Sequence, residues 1–251
     1  MLEQTFHTPE PALLEVKIPS GDIAVETDGT EETHVTVHGD ERMLEYVEIH
    51  CNGNRVAITL RDKGKFGFSF GSFFGDGDLR VEVRAPHGSS VNVKTASADT
   101  ELEGHFGKLE LNSASGDVRL RGELADNATI RTVSGDVELE RVDGDLSVQC
   151  VSGDVRARAI AGSVDTKSVS GDIRLDALSS GNVRFTSVSG DIEIGIAPGS
   201  LVDVDAGSTS GDLSSEVPLG SEPPSGESEA APVVVLRGRT VSGDVRVFRA
   251  G

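Results

Sequence analysis

The sequence predicts an all-β fold: a single-chain parallel β-solenoid, or short β-helix, with about 18 residues per coil. Two observations carry this prediction. A glycine returns every nine residues through the middle of the chain, at Gly135, Gly144, Gly153, Gly162 and Gly171. Every second unit also begins with the same word, which reads VSGDV at 133–137 and 151–155 and VSGDI at 169–173 and 188–192. A lone coil of this size is too small to fold, so we expect coils to stack and bury their apolar sides together.

The nine-residue unit has the alternation of a short strand with one buried side. Counted from its glycine, the unit has apolar residues at positions 3 and 5, as at Val137 and Leu139, and mostly charged or polar residues at positions 4 and 6. Position 8 is usually apolar too, and we expect its side chains to face the core as well: Val142, Val151, Ile160, Val169, Leu178 and Val188. An antiparallel sandwich is the alternative, but it gives identical words no reason to recur in every second unit.

Residues 1–87 are predicted to form a partly antiparallel N-terminal β cap, and residues 88–251 are predicted to form the solenoid repeats. Alternating apolar and polar residues mark five short strands of the cap between residues 13 and 60. The dipeptide Asn52-Gly53, between the last two of these strands, is a strong hairpin signal. Residues 20–23 already spell the repeat word as SGDI, which predicts a first coil within the cap.

Two segments interrupt the repeat. Residues 62–78 form a Gly/Phe-rich loop with five candidate partner-binding side chains: Phe66, Phe68, Phe70, Phe73 and Phe74. These rings either fold back on the sheet or form an exposed apolar patch that docks a partner or a second copy. Residues 214–232 are rich in Pro, Ser and Glu, a composition that predicts a disordered insertion. Any specificity is expected where the repeat is interrupted.

The charge of the chain excludes two classes of partner. It has 23 basic and 42 acidic residues and a net charge of −19, so we expect neither nucleic acid nor an anionic membrane surface to bind it. No apolar run is long enough to span a membrane, and the N-terminus lacks the pattern of a secretory leader. Cys51 and Cys150 are too few for a disulfide framework. We therefore expect a cytoplasmic protein, associated with the cell envelope only through a partner.

Five aspartates hold one position in five successive coils and are the most conspicuous candidate site: Asp117, Asp136, Asp154, Asp172 and Asp191. One interpretation is structural, with each carboxylate accepting hydrogen bonds from its own turn. A second is a ladder that holds Ca²⁺, and a third is glycoside chemistry. A uniform ladder does not provide the distinct acid and base that glycoside chemistry needs. We therefore predict no catalytic residues, no cofactor and no enzymatic activity.

The words TVSGDVELE, SVSGDIRLD and SVSGDIEI, with PSGDIAVE ahead of them, resemble the bacterial "putative adhesin" family of domain-of-unknown-function β-solenoid proteins. The resemblance covers roughly residues 12–250. It implies a right-handed, short-coil, β-helix-like fold. It also implies a loose association with the cell envelope or envelope-stress systems, and no established catalytic residues.

The leading functional hypothesis is a non-enzymatic β-solenoid scaffold or adhesin-like module that binds a protein partner or itself. The alternatives are a carbohydrate-binding or carbohydrate-active β-helix protein and a Ca²⁺-stabilised repeat module. The final segment VRVFRAG is expected to be the last coil, where Arg246 and Arg249 would discourage end-to-end stacking. This arrangement predicts a monomer or a small oligomer.

Overall fold

The computed structural model describes residues 1–61, 79–217 and 232–250. The chain forms two compact units, Met1–Ala125 and Asp126–Gly251, which are called unit 1 and unit 2 below. The described residues are almost entirely β-strand, and most strands pair in parallel, which confirms the predicted all-β parallel solenoid.

Unit 1 contains ten strands and one short helix: β1 (Leu2–His7), β2 (Leu13–Lys17), β3 (Ser20–Asp28), β4 (Glu32–His38), α1 (Glu41–Leu44), β5 (Val47–Asn52), β6 (Arg55–Leu60), β7 (Arg80–Pro86), β8 (Ser89–Lys94), β9 (Ser97–Asn112) and β10 (Val118–Leu124). The strands form two sheets, and the long strand β9 contributes to both. One sheet has the order β10–β9–β3–β7–β4–β1 and the other has the order β9–β8–β2–β6–β5.

The N-terminal part of unit 1 mixes parallel and antiparallel pairs, as predicted. The pairs β1–β4, β4–β7 and β5–β6 are antiparallel, and Gly53 turns the β5–β6 hairpin with a φ of 59°. The SGDI segment at 20–23 is in register with a later coil, because Ser20 pairs with Ser97. The predicted cap ends at residue 87, whereas the compact unit continues to Ala125 because β8 pairs with β2 and β9 pairs with β3.

Unit 2 contains twelve strands among its described residues: β11 (Ala128–Ser134), β12 (Val137–Val142), β13 (Leu146–Ser152), β14 (Val155–Ile160), β15 (Val164–Ser170), β16 (Ile173–Leu178), β17 (Gly181–Ser189), β18 (Ile192–Ile196), β19 (Leu201–Ser210), β20 (Leu213–Ser215), β21 (Val233–Ser242) and β22 (Val245–Arg249). Each coil consists of two strands joined at the Ser-Gly-Asp corner. Stacking the coils produces two parallel sheets, β11–β13–β15–β17–β21–β19 and β12–β14–β16–β18–β22–β20.

The core of unit 2 lies between these two sheets and is built from the predicted inward positions. Val137 and Leu139 are buried, as are their counterparts in the later coils. Phe185 is the largest buried side chain of the unit, and Gly238 in the next strand makes room for its ring. A Cβ at position 238 would lie 2.5 Å from atoms of that ring.

The prediction that every position 8 faces the core is wrong for half of the units. Val142, Ile160 and Leu178 are buried, but Val151, Val169 and Val188 are about half exposed. In these units the strand keeps its alternation to its end, so position 7 points inward and position 8 points outward.

The prediction that the C-terminal segment forms the last coil is also wrong. Strand β21 pairs with β17 on one side and with β19 on the other, so the C-terminal coil lies inside the stack and β19–β20 forms its end. Arg246 pairs with Glu216, and Arg249 donates to the carbonyl oxygen of Ser200. These arginines therefore tie neighbouring segments of unit 2 together instead of protecting an end.

The predicted insertion at 214–232 begins later than expected. Ser214 and Ser215 belong to β20, which pairs in parallel with β22. Residues 218–231, the rest of the predicted insertion apart from its two ends, lie outside the described residues.

Candidate functional site

The Ser-Gly-Asp corner needs glycine for two reasons. Gly153 has a φ of 123°, which side-chain-bearing residues rarely adopt. A Cβ at this position would also lie 2.3 Å from the carbonyl oxygen of Gly135, the corner glycine of the preceding coil. The glycine of the repeat therefore reflects the close stacking of backbones.

The ladder aspartates use a carboxylate oxygen to hold the next coil. In each case Oδ1 of one aspartate accepts the backbone N–H of its counterpart: Asp136 from Asp154 at 2.9 Å, Asp154 from Asp172 at 2.8 Å, Asp172 from Asp191 at 2.8 Å, and Asp191 from Asp244 at 2.8 Å. In unit 1 Asp117 donates its N–H to Asp99 in the same way. The sequence-based structural interpretation placed these bonds within one turn, whereas the structure places them between coils.

A second ladder of the same kind lies at the other corner of the coil and was not predicted. Asp145 donates its N–H to Oδ1 of Asn127 at 2.9 Å, and Ser163 donates to Oδ1 of Asp145 at 2.8 Å. Asn127 shows that a neutral amide oxygen serves as well as a carboxylate. The chemistry required at the corner is therefore a hydrogen-bond acceptor and not a negative charge.

The Ca²⁺ hypothesis gains no second observation. Across 1–61, 79–217 and 232–250, no three side chains of His, Cys, Asp or Glu form a group that could hold a metal ion. The hypothesis stays a prediction.

Small polar side chains just inside each corner form a further ladder that sequence reasoning missed. Each donates a hydrogen bond to the carbonyl oxygen two residues later: Thr132 to Ser134 at 2.9 Å, Cys150 to Ser152 at 3.2 Å, Ser187 to Ser189 at 3.1 Å, and Thr240 to Ser242 at 3.1 Å. Burial raises the pKa of the Cys150 thiol, so this group stays protonated and serves as a donor. The sequence signal is a Thr, Ser or Cys at position 7 of every VSGD unit.

Five valines form a straight exposed row on the sheet that begins with β11. We call Val133, Val151, Val169, Val188 and Val241 the valine row; their exposed fractions are 53, 46, 48, 48 and 52%. Each lies between paired neighbours of adjacent coils, for example between the pairs Cys150–Ser168 and Ser152–Ser170. The spacing along the row is therefore one rung, about 4.8 Å.

Two rows of opposite charge flank the valine row. Two residues before each valine lies the basic row: Arg131, Gln149, Lys167, Thr186 and Arg239. Three residues after each valine lies the aspartate row: Asp136, Asp154, Asp172, Asp191 and Asp244. All of these side chains are exposed. We call the three rows together the valine face.

The opposite sheet of unit 2 neutralises its charges internally. Asp176 accepts hydrogen bonds from Arg156 at 3.1 Å and from Arg174 at 2.6 Å, and Arg174 also pairs with Glu193. Burial opposes ionisation of Asp176, but the two guanidinium groups outweigh it and hold the pKa of the carboxyl below its usual value. This sheet presents a cross-linked ion-pair network, unlike the segregated rows of the valine face.

Unit 1 has a cavity of about 480 Å³ on the outer face of the sheet that contains β3 and β7. The small side chain of Ala24 lies at this surface, between the Arg80–Glu82 pair and Arg84, which pairs with Asp28. Three glutamates also line it: Glu26, Glu101 and Glu103. Ligand pockets are usually lined by apolar and aromatic groups, and the described lining of this cavity has no Phe, Tyr or Trp ring. The carbohydrate hypothesis therefore gains no support from it.

The five phenylalanines predicted to bind a partner, Phe66, Phe68, Phe70, Phe73 and Phe74, lie outside the described residues, so that interpretation stays a prediction. Within the described ranges, no helix has the length and apolar character needed to cross a bilayer.

Coils of two parallel strands, closed by Ser-Gly-Asp corners and stacked around an aliphatic core, define a β-solenoid repeat protein. The chain belongs to the Toastrack DUF4097 family, whose model matches residues 13–248. Among curated proteins none matches the sequence. The resemblance to "putative adhesin" proteins is thereby confirmed at the level of the family and its structural neighbours.

Two solved structures share the fold. A "putative lipid binding protein" from Parabacteroides distasonis is 13% identical, with a TM-score of 0.62 over 97% of this chain and 96% of its own. A "putative adhesin" from Parabacteroides distasonis is 14% identical, with a TM-score of 0.55 over 98% of this chain and 97% of its own. At such identities the likeness shows the fold alone.

Proposed function

We propose that this chain is a non-enzymatic, adhesin-like scaffold that binds a protein partner through the valine face. The observation that carries the proposal is the valine row: five in-register valines, each about half exposed, in a chain with a net charge of −19. Full burial of a valine contributes about 2 kcal/mol, so covering the exposed half contributes about 1 kcal/mol per valine. A partner that covers the row gains about 5 kcal/mol, before the costs of association.

The fold does not require valine at these positions. Thr209 occupies the equivalent position in the end coil and is exposed there, between pairs that match Ser208 with Thr240 and Ser210 with Ser242. Threonine has the same β-branched shape and suits a strand equally well. A valine at this position therefore adds exposed apolar surface without a structural need for it.

The non-enzymatic part of the proposal rests on what the carboxylates do. Each ladder aspartate already accepts a backbone hydrogen bond from the next coil, and every coil repeats the same arrangement. General acid–base catalysis needs two groups in different environments. The family neighbours described as putative adhesins agree with a binding role.

A site-specific photo-cross-linker tests the proposal. A benzophenone side chain at position 169 samples the valine row, and one at position 158 samples the exposed surface of the opposite sheet as a matched control. After irradiation in extract, we expect defined protein adducts at position 169 that are absent at position 158. Excess wild-type protein should suppress these adducts, whereas excess V151T/V169T/V188T protein should not. Equal labelling at both positions, or none at position 169, would contradict the proposed function.

A further inference from the structure

We propose that the valine face binds a second copy of this chain in a parallel, twofold-symmetric dimer. The inference rests on the proposed function and names its partner. The order of the three rows carries it, because a positive row, an apolar row and a negative row lie side by side on one surface.

The rows are complementary to themselves in one orientation. A 180° rotation about an axis along the valine row brings two faces together with the valines opposite their own equivalents. The same rotation places the basic row of each copy against the aspartate row of the other. Arg131, Lys167 and Arg239 then face Asp136, Asp172 and Asp244 of the same coil level in the second copy.

The antiparallel alternative is disfavoured by charge. A twofold axis across the strands, in the plane of the face, would set the basic row against the basic row and the aspartate row against the aspartate row. Like charges at such an interface are destabilising, and the aspartate row carries one charge per coil. Charge therefore selects the parallel orientation, while the valines contribute the apolar contact in both.

The size of the face sets the strength of the dimer. Five coils at about 4.8 Å give a length of about 24 Å, and the five residues between the outer rows span about 17 Å. Each copy would thus bury about 400 Å², or about 800 Å² in total, which lies in the size class of weak, transient complexes. We expect a dissociation constant of about 0.1 mM that rises with salt, because exposed ion pairs are screened.

Disulfide trapping tests the orientation. In a C51S background, which removes the exposed native thiol, V133C and V241C place one cysteine at each end of the valine row. The parallel dimer predicts that V133C alone forms a cross-linked dimer, and that a mixture of V133C and V241C gives only homodimers. R158C, on the opposite sheet, is the matched control and should cross-link at the background rate. Heterodimers from the mixture, with no V133C homodimer, would overturn the parallel arrangement.

Sedimentation equilibrium tests the energetics without any cysteine. We expect R131E/K167E to weaken the dimer at least tenfold, and V151T/V169T/V188T to weaken it by a similar factor. D136N/D172N should also weaken it while keeping the acceptor oxygen at each corner, as Asn127 does in the second ladder. E138Q, on the opposite sheet, should leave the dissociation constant unchanged.

A strictly monomeric wild type at millimolar concentration and low salt would overturn the dimer. In that event, competition-sensitive adducts of another protein at position 169 would still support the proposed function. Loss of both the dimer and those adducts would refute both ideas.

Discussion

Replacing Asp154 by asparagine and by alanine separates the structural and the ion-binding interpretations of the aspartate ladder. Oδ1 of Asp154 accepts the N–H of Asp172 at 2.8 Å, and Asp154 donates its own N–H to Asp136 at 2.9 Å. Asparagine keeps the acceptor and removes the charge. Alanine removes both, so the difference between the two variants isolates the hydrogen bond from the charge.

The expected magnitudes follow from the rung spacing. Two unit charges about 4.8 Å apart repel by about 1 kcal/mol in water, and Asp154 has one such neighbour on each side. Screening by salt reduces this term, so we expect D154N to stabilise the protein by about 1 kcal/mol at low salt and by less at high salt. Loss of an accepted hydrogen bond costs about 1 kcal/mol, so D154A should be less stable than D154N by that amount.

Urea unfolding at low and at high salt, followed by circular dichroism, measures both differences. The matched control is E138Q, which removes an exposed carboxylate from the opposite sheet without touching the ladder. A D154N protein that is less stable than D154A would refute the acceptor role. If Ca²⁺ stabilises the wild type and D154N abolishes that effect, the ladder binds the ion and the structural interpretation is incomplete.

Three further predictions follow from single contacts. G238A should destabilise unit 2 by about 3 kcal/mol in urea unfolding, because its Cβ would lie 2.5 Å from the Phe185 ring; an unchanged midpoint would contradict the packing described. Ion pairing holds the pKa of Asp176 below its usual value, so its contribution to stability is present above about pH 4 and is lost as the pH falls through the lowered pKa. The free energy of unfolding of the wild type should therefore fall more steeply below pH 4 than that of D176N, and parallel curves would count against this. A maleimide reagent should label the exposed Cys51 quickly and leave Cys150 unlabelled in the native protein, because Cys150 is 4% exposed and its thiol pKa is raised by burial; mass spectrometry of peptides distinguishes the two.

Much of the fold could be predicted because the repeat carries its own constraints. The corner glycine and the inward residues at positions 3 and 5 act within one coil or between adjacent coils, and Gly153 and Val137 lie where the period predicts. The antiparallel hairpin at Asn52-Gly53 is local for the same reason. Periodicity reports such short-range requirements directly.

Two features could not be predicted from the period. The order of coils near the C-terminus depends on which strand β21 pairs with, and its insertion between β17 and β19 is decided by contacts distant in sequence. The direction of position 8 depends on whether a strand keeps its alternation to the corner, and both Val142 and Val151 satisfy the same apolar pattern. The valine row, and with it the candidate site, therefore becomes visible only in the structure.

The corner itself explains why a binding role falls to the valine row. Glycine and aspartate in the repeat word are fixed by backbone stacking and by hydrogen bonds between coils, so they cannot vary freely to suit a partner. The position before the serine carries no such constraint: the same place in the repeat holds Ala114 in one coil and Thr209 in another. Five consecutive valines at a position that tolerates alanine and threonine provide apolar surface that the fold does not need. The flanking charges give that surface an orientation, and the cross-linking of V133C decides whether a second copy of the chain uses it.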